Sequence, residues 1–118
     1  MTNLPEEIRL QRKARVLKLR YADGSEHELP FEYLRVYSPS AEVKGHGPGQ
    51  EVLVGGKARV EITEVVPTGN YAVKLVFDDG HDSGLYTWEY LRELGENRER
   101  YWQNYLEALE KAGMGREP

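Results

Sequence analysis

The feature that most constrains the fold is a segment that occurs twice. The string LKLRYADGSEHELPFEYLR at 17–35 aligns with VKLVFDDGHDSGLYTWEYLR at 73–92. In both copies alternating apolar residues precede an Asp-Gly pair, and both end in Glu-Tyr-Leu-Arg. Alternation predicts a strand with one buried side, and Asp-Gly provides the backbone torsions of a tight hairpin. Each copy is therefore predicted to be a β-hairpin followed by a helical turn. The repeat has two possible origins, duplication of one unit or the separate origin of two simple units.

The rest of the pattern predicts more strands and a longer helix. Strands are expected at 8–11, 16–21, 26–29, 58–66 and 71–77, with a short piece at 52–54, and short helices at 31–36 and 88–94. Thr87 is the predicted N-cap of the second short helix, and Gly95 its left-handed C-terminal residue. Helical spacing over 98–112 places these residues on one face: Trp102, Tyr105, Leu106, Leu109 and Ala112.

These elements predict an α+β fold of two layers. A mostly antiparallel sheet is built from two hairpin-plus-helix units, and an amphipathic helix follows, with residues 114–118 frayed. The 118 residues, of which 39% are hydrophobic, suit one core. We find no signal-like segment, and no apolar run near the roughly 20 residues of a transmembrane helix, so the expected location is the cytoplasm.

Cysteine content and charge exclude several kinds of chemistry. The chain has no cysteine, which removes disulfides, thiolate nucleophiles and cysteine-ligated metal sites. The net charge is −4, although basic residues crowd the first strands between Arg9 and Arg20. A basic strip can steer an acidic partner, but Lys18 and Arg20 alternate with apolar Leu17 and Leu19, as on the solvated face of a strand pair. We expect neither nucleic acid nor membrane as a partner.

Three strings carry a resemblance to a known family. SPSAEVKGHGPGQ at 38–50, PTGNYAVKLVFDDGH at 67–81 and SGLYTWEYLRELG at 83–95 resemble the gamma-butyrobetaine hydroxylase-like N-terminal domain family. The resemblance covers roughly residues 5–96, so it assigns 1–96 to that domain and 97–118 to the helix and frayed tail. It implies a small α+β domain that occurs alone in bacteria, in front of carnitine-synthesis oxygenases, and attached to some P-loop ATPases of iron–sulfur cluster assembly.

The resemblance also implies a zinc site in the oxygenase members, made by a C-x-C-x-x-C cluster and a histidine after the second Asp-Gly. The corresponding positions here are Ser38, Ser40, Val43 and His81. Neutral hydroxyls are poor zinc ligands and valine is none, so we predict that the metal site is lost and that the chain holds no metal or other cofactor. His81 is instead predicted to hydrogen-bond to Ser38 or Ser40 and hold the loop on the hairpin.

Catalytic motifs are not supported. An iron(II) oxygenase needs two histidines and a carboxylate on a large barrel, and no H-x-D triple occurs here. His81, Asp82 and Ser83 are adjacent in sequence, but consecutive residues of a strand point to opposite faces. The glycines of GHGPGQEVLVGGK do not have the spacing of a phosphate-binding loop and serve tight reversals better. The chain is therefore predicted not to be an enzyme.

The remaining prediction is a non-catalytic accessory or protein-interaction domain with a protein partner. Association with the ATPase-attached relatives links it to iron–sulfur or metal-cofactor protein maturation. The candidate interaction surface comprises Tyr37, Ser38, Ser40, His46, His81, Asp82 and Tyr86. Trp88 and Tyr90 suit the core as well as a surface. The oligomeric state is open, and a homo-oligomer is compatible with the sequence.

Two other functions stay open. In the first, a small-ligand sensor, the loop at 38–57 closes over an anion or a cationic metabolite beside Asp78, Asp79 and Asp82. In the second, His46, His81 and Asp82 keep a residual metal site.

Overall fold

The computed structural model describes residues 4–39 and 53–118. Within these ranges two antiparallel sheets of three strands, in the orders β1-β2-β3 and β4-β5-β6, pack with three helices. The elements are β1 Glu7–Gln11, β2 Val16–Arg20, β3 Glu26–Pro30, α1 Phe31–Val36, β4 Ile62–Thr68, β5 Ala72–Phe77, β6 Leu85–Thr87, α2 Trp88–Glu96 and α3 Arg98–Ala112. The predicted α+β class is confirmed. Ser40, Val43, His46 and residue 52 of the predicted short strand lie outside the described residues.

Strand alternation produces the core as predicted. Leu17 pairs with Leu29 in the first sheet, and Val73 pairs with Tyr86 in the second, and all four side chains are buried. Between the inward leucines of β2, Lys18 faces outward and forms an ion pair with Glu26 at 3.3 Å. The basic strip of the first strands is therefore, at this position, part of a solvated sheet face.

The two turns of the repeat have the same geometry. Tyr21 N donates to Ser25 O at 3.0 Å, and Phe77 N donates to His81 O at 3.0 Å. Gly24 and Gly80 have φ values of 88° and 89°. Only glycine adopts such torsions without strain, which is why both copies carry Asp-Gly. The predicted hairpin repeat is confirmed at the level of the backbone.

The units also contact each other reciprocally. The hydroxyl of Tyr33 in α1 donates to Leu94 O in α2 at 2.7 Å, and the hydroxyl of Tyr90 in α2 donates to Tyr37 O after α1 at 2.5 Å. Tyr33 and Tyr90 lie 57 positions apart, as do Tyr37 and Leu94. Each helix therefore satisfies a carbonyl at the end of the other helix.

Two ion pairs between the units are reciprocal in the same way. Arg35 Nε lies 2.8 Å from Asp79 Oδ2, and Arg92 Nη2 lies 3.0 Å from Asp23 Oδ2. The arginine of each helix thus binds the turn aspartate of the opposite unit. Contacts in which i meets j and j meets i characterise a two-fold interface. This reciprocity favours duplication of one unit over separate origins.

Four features differ from the prediction. α2 continues to Glu96, and Gly95 is helical with no positive φ. A Cβ at this position would lie 2.8 Å from Cδ2 of His27, so the glycine permits close packing rather than capping. Strand β4 begins at Ile62 and runs through Pro67, which an edge strand tolerates. Residues 53–54 are not a strand.

The fourth difference is at residues 114–118, called the tail below. The tail is not frayed: Gly115 O and Arg116 O accept hydrogen bonds from Gly56 N and Ala58 N, both at 2.9 Å. The predicted helix before it is confirmed at Arg98–Ala112, with Tyr105 and Leu109 buried although Ala112 is exposed. None of the helices in residues 4–39 and 53–118 is long and apolar enough to cross a membrane.

Candidate functional site

The residues singled out by the zinc resemblance meet where α1 ends against the second hairpin. Ser38 lies two residues after the end of α1, and His81 closes the Asp-Gly turn between β5 and β6. Ser38 Oγ lies 2.8 Å from His81 Nε2, and the two residues are 1% and 4% exposed. The predicted hydrogen bond between His81 and Ser38 is confirmed, and it joins the first unit to the second.

Tyr86 and Gly84 complete this buried contact. The Tyr86 hydroxyl donates to Leu34 O at 2.6 Å, and burial raises its pKa while the Ser38 hydroxyl opposes the rise in part. A Cβ on Gly84 would overlap Ser38 Oγ and lie 3.3 Å from the Tyr86 ring. The glycine is therefore required by the close approach of the Ser38 segment.

Beside the histidine lies an ion-pair cluster. Asp79 Oδ2 accepts from Lys57 Nζ at 2.6 Å and from Arg35 Nε at 2.8 Å, and Asp79 Oδ1 accepts from His81 N at 3.1 Å. Burial favours the protonated acid, but the hydrogen bonds from Lys57, Arg35 and His81 outweigh it and lower the Asp79 pKa to about 2. Asp79, in the turn of the second hairpin, is thus ionised and links this hairpin to Arg35 of α1 and to Lys57.

The donor set does not fit zinc. Of the four positions, His81 offers one imidazole nitrogen, Ser38 and Ser40 offer hydroxyls, and Val43 offers no ligand atom. The His81 nitrogen and Ser38 oxygen are themselves joined by a hydrogen bond, and no group of three or more His, Cys, Asp or Glu among the described residues could hold a metal ion. Structural zinc sites use four ligands, mostly thiolates and imidazoles.

The residues of the predicted interaction surface differ in burial. Ser38, His81 and Tyr86 are buried, and their polar groups serve contacts between the two units. Asp82 is exposed, and Tyr37 is half-buried with its hydroxyl donating to Tyr101 O. Ser40 and His46 lie outside the described residues, as does the His46 part of the predicted residual metal site.

Two of the three aspartates predicted to lie beside a ligand, Asp78 and Asp79, are engaged by other groups of the domain. Asp78 Oδ1 accepts from Glu61 N at 3.0 Å, and Asp79 is neutralised by two cations. Sequence reasoning missed Arg35 and Lys57 as the partners of this cluster. The Asp79–Arg35 pair had a signal, since both residues occupy repeat positions that are matched by Asp23 and Arg92.

An open cavity lies in a different place, between β3 and the junction of α2 with α3. Its volume is about 1070 Å³. Tyr33 and Trp102 line it, with four carboxylates and two guanidinium groups from Glu26, Glu28, Glu96, Glu99, Arg98 and Arg100. Arg98 is already bound to Glu28 O at 2.7 Å, and Arg100 to Asn97 Oδ1 at 2.8 Å. The cavity is therefore more attractive to cations than to anions.

The outer face of the second sheet carries apolar side chains that the core does not use. Val66 pairs with Lys74, which also pairs with Leu85, and Val76 lies two residues along β5 on the same face. Leu85 is 40% exposed, and Val66 and Val76 are half-buried. The outward face of an antiparallel sheet is ordinarily polar, so three aliphatic residues around one lysine make this face unusually apolar.

Comparison with solved structures finds close relatives. Two solution structures determined by NMR are 48% and 50% identical, with TM-scores of 0.87 and 0.82. The first match covers 100% of this chain and 93% of that one, and the second covers 98% and 87%. A crystal structure of a protein of unknown function from Acidithiobacillus ferrooxidans, assigned to the DUF971 family, is 45% identical with a TM-score of 0.66, covering 79% of this chain and 93% of that one.

Comparison with curated proteins gives no match. The model of the family described as gamma-butyrobetaine hydroxylase-like, N-terminal, matches residues 8–92, which include both hairpin-plus-helix units and the Ser38–His81 contact. The chain therefore belongs to the gamma-butyrobetaine hydroxylase-like N-terminal family, also named DUF971.

Proposed function

We propose that this chain is a non-catalytic accessory domain that binds a protein partner. The observation that carries the proposal is the outer face of the second sheet, where Leu85, Val66 and Val76 remain accessible around Lys74. Exposed apolar side chains on an otherwise complete sheet favour association, because covering them removes apolar area from water. Lys74 at the centre, together with exposed Glu64 opposite Val76 on the same face, favours a partner surface that is apolar with one acidic and one basic group.

The use of polar side chains supports the non-catalytic part of the proposal. The imidazole of His81 is buried in a contact with Ser38, and the carboxylate of Asp79 is bound by Arg35 and Lys57. These groups serve the junction between the two units. A general base must instead reach a substrate proton within hydrogen-bond distance.

Affinity capture with matched variants tests the proposal. Leu85→Glu places a charge on the outer face, and Asn104→Glu adds the same charge on the exposed side of α3. We expect the native chain and Asn104→Glu to retain the same partner, and purified Leu85→Glu to bind that partner at least about tenfold more weakly, a loss of about 1.4 kcal/mol. Equal binding by Leu85→Glu with unchanged thermal stability would contradict the proposed surface, and turnover of a compound by the purified chain would contradict the non-catalytic role.

The cavity supports a second candidate function, a small-ligand sensor. Its carboxylates and the aromatic rings of Tyr33 and Trp102 favour a cationic ligand. Thermal shifts with quaternary ammonium compounds, and with nucleotides as the anionic comparison, test this candidate. Stabilisation by the cations alone would support it, and stabilisation by neither class would remove it.

A role in iron–sulfur or metal-cofactor protein maturation remains a prediction from the resemblance. Identification of the protein captured through Leu85 tests it directly. An iron–sulfur assembly protein in that position would support the link, and an unrelated partner would remove it.

A further inference from the structure

We propose that the tail occupies a groove that recognises an extended, arginine-containing segment of a partner protein, and that the tail is displaced when the partner binds. This inference rests on the proposed function as an interaction domain, but places a second recognition site on a different face. The groove is formed by Glu32 of α1, Trp102 of α3 and the backbone at Gly56 and Ala58.

The tail is held like a bound peptide strand. Gly56 N and Ala58 N donate to the carbonyls of Gly115 and Arg116 at 2.9 Å each. Main-chain bonds of this kind provide affinity without regard to sequence, as when an extended peptide adds to a strand edge. Any extended segment can make them, so the backbone contacts do not restrict the occupant to residues 114–118.

The groove binds an arginine side chain. Arg116 Nη2 and Nε lie 2.7 and 2.9 Å from the two carboxylate oxygens of Glu32, and the guanidinium carbon lies 5.2 Å from the centre of the Trp102 ring. This planar two-point pairing with a stacked ring suits a guanidinium and cannot be reproduced by lysine. The Glu32 hydrogen bond raises the Arg116 pKa, which is consistent with a strong pair.

Burial of Glu32 is not required by the repeated unit. Glu32 is 6% exposed, whereas Glu89, its counterpart 57 positions later, is exposed. The two units therefore differ at this position, since Glu32 of α1 is buried and Glu89 of α2 is exposed. A buried carboxylate without a cation carries a large desolvation cost, so an emptied groove retains a strong preference for a positively charged guest.

The tail itself is attached lightly enough to be exchanged. Arg116 is 48% exposed at its side chain, and the other tail residues are also exposed. A second ion pair of the tail joins Glu117 to Arg59, whose side chains are 69% and 76% exposed, and it contributes little. Opening the tail therefore costs mainly the Arg116–Glu32 pair and the two main-chain hydrogen bonds, and an incoming arginine segment replaces both.

The neighbouring glycines define how specific the groove is. A Cβ on Gly115 meets no atom within 4 Å, so the residue before the arginine is not restricted. A Cβ on Gly55 would lie 2.8 Å from Gly115 O, so any larger residue at 55 blocks the path of the bound backbone. Gly55→Ala is therefore a specific means of closing the groove to a strand from any source.

The experiment uses the full chain with Arg116→Ala, which removes the native guanidinium but leaves the main-chain contacts of the tail, so the peptide is added in excess. The probe is the acetylated peptide Met-Gly-Arg-Glu-Pro, and the control peptide has lysine in place of arginine. Binding is measured from the backbone amide NMR signals of Gly56 and Ala58. We expect the arginine peptide to bind at least about tenfold more tightly than the lysine peptide, and the Gly55→Ala change in the same chain to abolish binding.

Three results would overturn the inference: no peptide binding by folded Arg116→Ala, equal binding of both peptides, or binding that persists with Gly55→Ala. If Arg116→Ala does not fold, the native chain is titrated with excess arginine peptide, and unchanged Gly56 and Ala58 signals overturn it as well. A native dimer that Arg116→Ala abolishes would assign the groove to a second copy and contradict the partner. Partner capture through Leu85 is measured separately, so failure here leaves the proposed function standing.

Discussion

The ion-pair cluster at Asp79 makes a prediction whose size follows from the contacts. Asp79→Asn keeps the shape of the side chain but removes the charge that binds Arg35 and Lys57. The pKa of Asp79 is lowered from 3.8 to about 2, and each pKa unit corresponds to about 1.4 kcal/mol. The full lowering of the Asp79 pKa corresponds to about 2.5 kcal/mol of unfolding free energy. Because solvent screens this partly exposed carboxylate, we expect Asp79→Asn to lose about 1 to 2 kcal/mol at pH 7.

The pH dependence provides the sharper test. Because folding lowers this pKa, the stability from the ionised carboxylate is complete above the unfolded value of 3.8 and is lost as pH falls through about 2. The difference in unfolding free energy between the native chain and Asp79→Asn should therefore be constant near neutral pH and should shrink below about pH 4. Urea unfolding at pH 7, 5, 3.5 and 2.5 measures it, with exposed Asp82→Asn as the control.

A further observation supports a measurable cost. Arg35 Nη1 is buried without a hydrogen-bond partner among residues 4–39 and 53–118, and within these ranges Asp79 is the acceptor that offsets burial of this guanidinium. Removing one partner of a partly buried ion pair leaves the other charge poorly solvated. Equal unfolding free energies of native chain and Asp79→Asn at pH 7, or a difference that does not change down to pH 2.5, would refute the reasoning.

Three other predictions follow from contacts described above. Gly84→Ala should lower the unfolding free energy by about 1 to 3 kcal/mol through overlap with the Ser38 segment, whereas Gly115→Ala should change thermal stability little; equal effects would contradict the packing argument. Tyr33→Phe and Tyr90→Phe should each cost about 1 kcal/mol in chemical denaturation, and clearly unequal losses would contradict their equivalence. Metal analysis of the purified chain should find zinc well below one ion per molecule, and stoichiometric zinc would contradict the loss of the site.

Local patterns made much of the fold predictable. Alternation around Leu17 and Val73 gave the strands, the Asp-Gly pairs gave the turns, and the apolar spacing gave α3 with its bounds. Thr87 is confirmed as the N-cap of α2, since its side chain accepts from Tyr90 N. Each of these signals depends only on residues close together in sequence.

What the sequence did not reveal depends on distant neighbours. Gly95 has the appearance of a helix end, and only the position of His27 explains why a glycine lies inside α2. The tail has no local pattern, and its order comes from Glu32 and the backbone at Gly56. In the candidate site, the His81–Ser38 contact was predictable from the resemblance, but the link that Asp79 makes between its hairpin and α1 was not.

The exchanged tyrosine hydrogen bonds have a consequence for biosynthesis. In the part of the chain that the structure describes, Tyr33 donates to Leu94 O and Arg35 pairs with Asp79, and both partners belong to the second unit. A nascent chain that has emerged as far as α1 therefore holds a helix whose polar groups still lack their native partners. The first half must wait on the ribosome for the second, and the whole domain is expected to fold in one late step once α2 has left the exit tunnel.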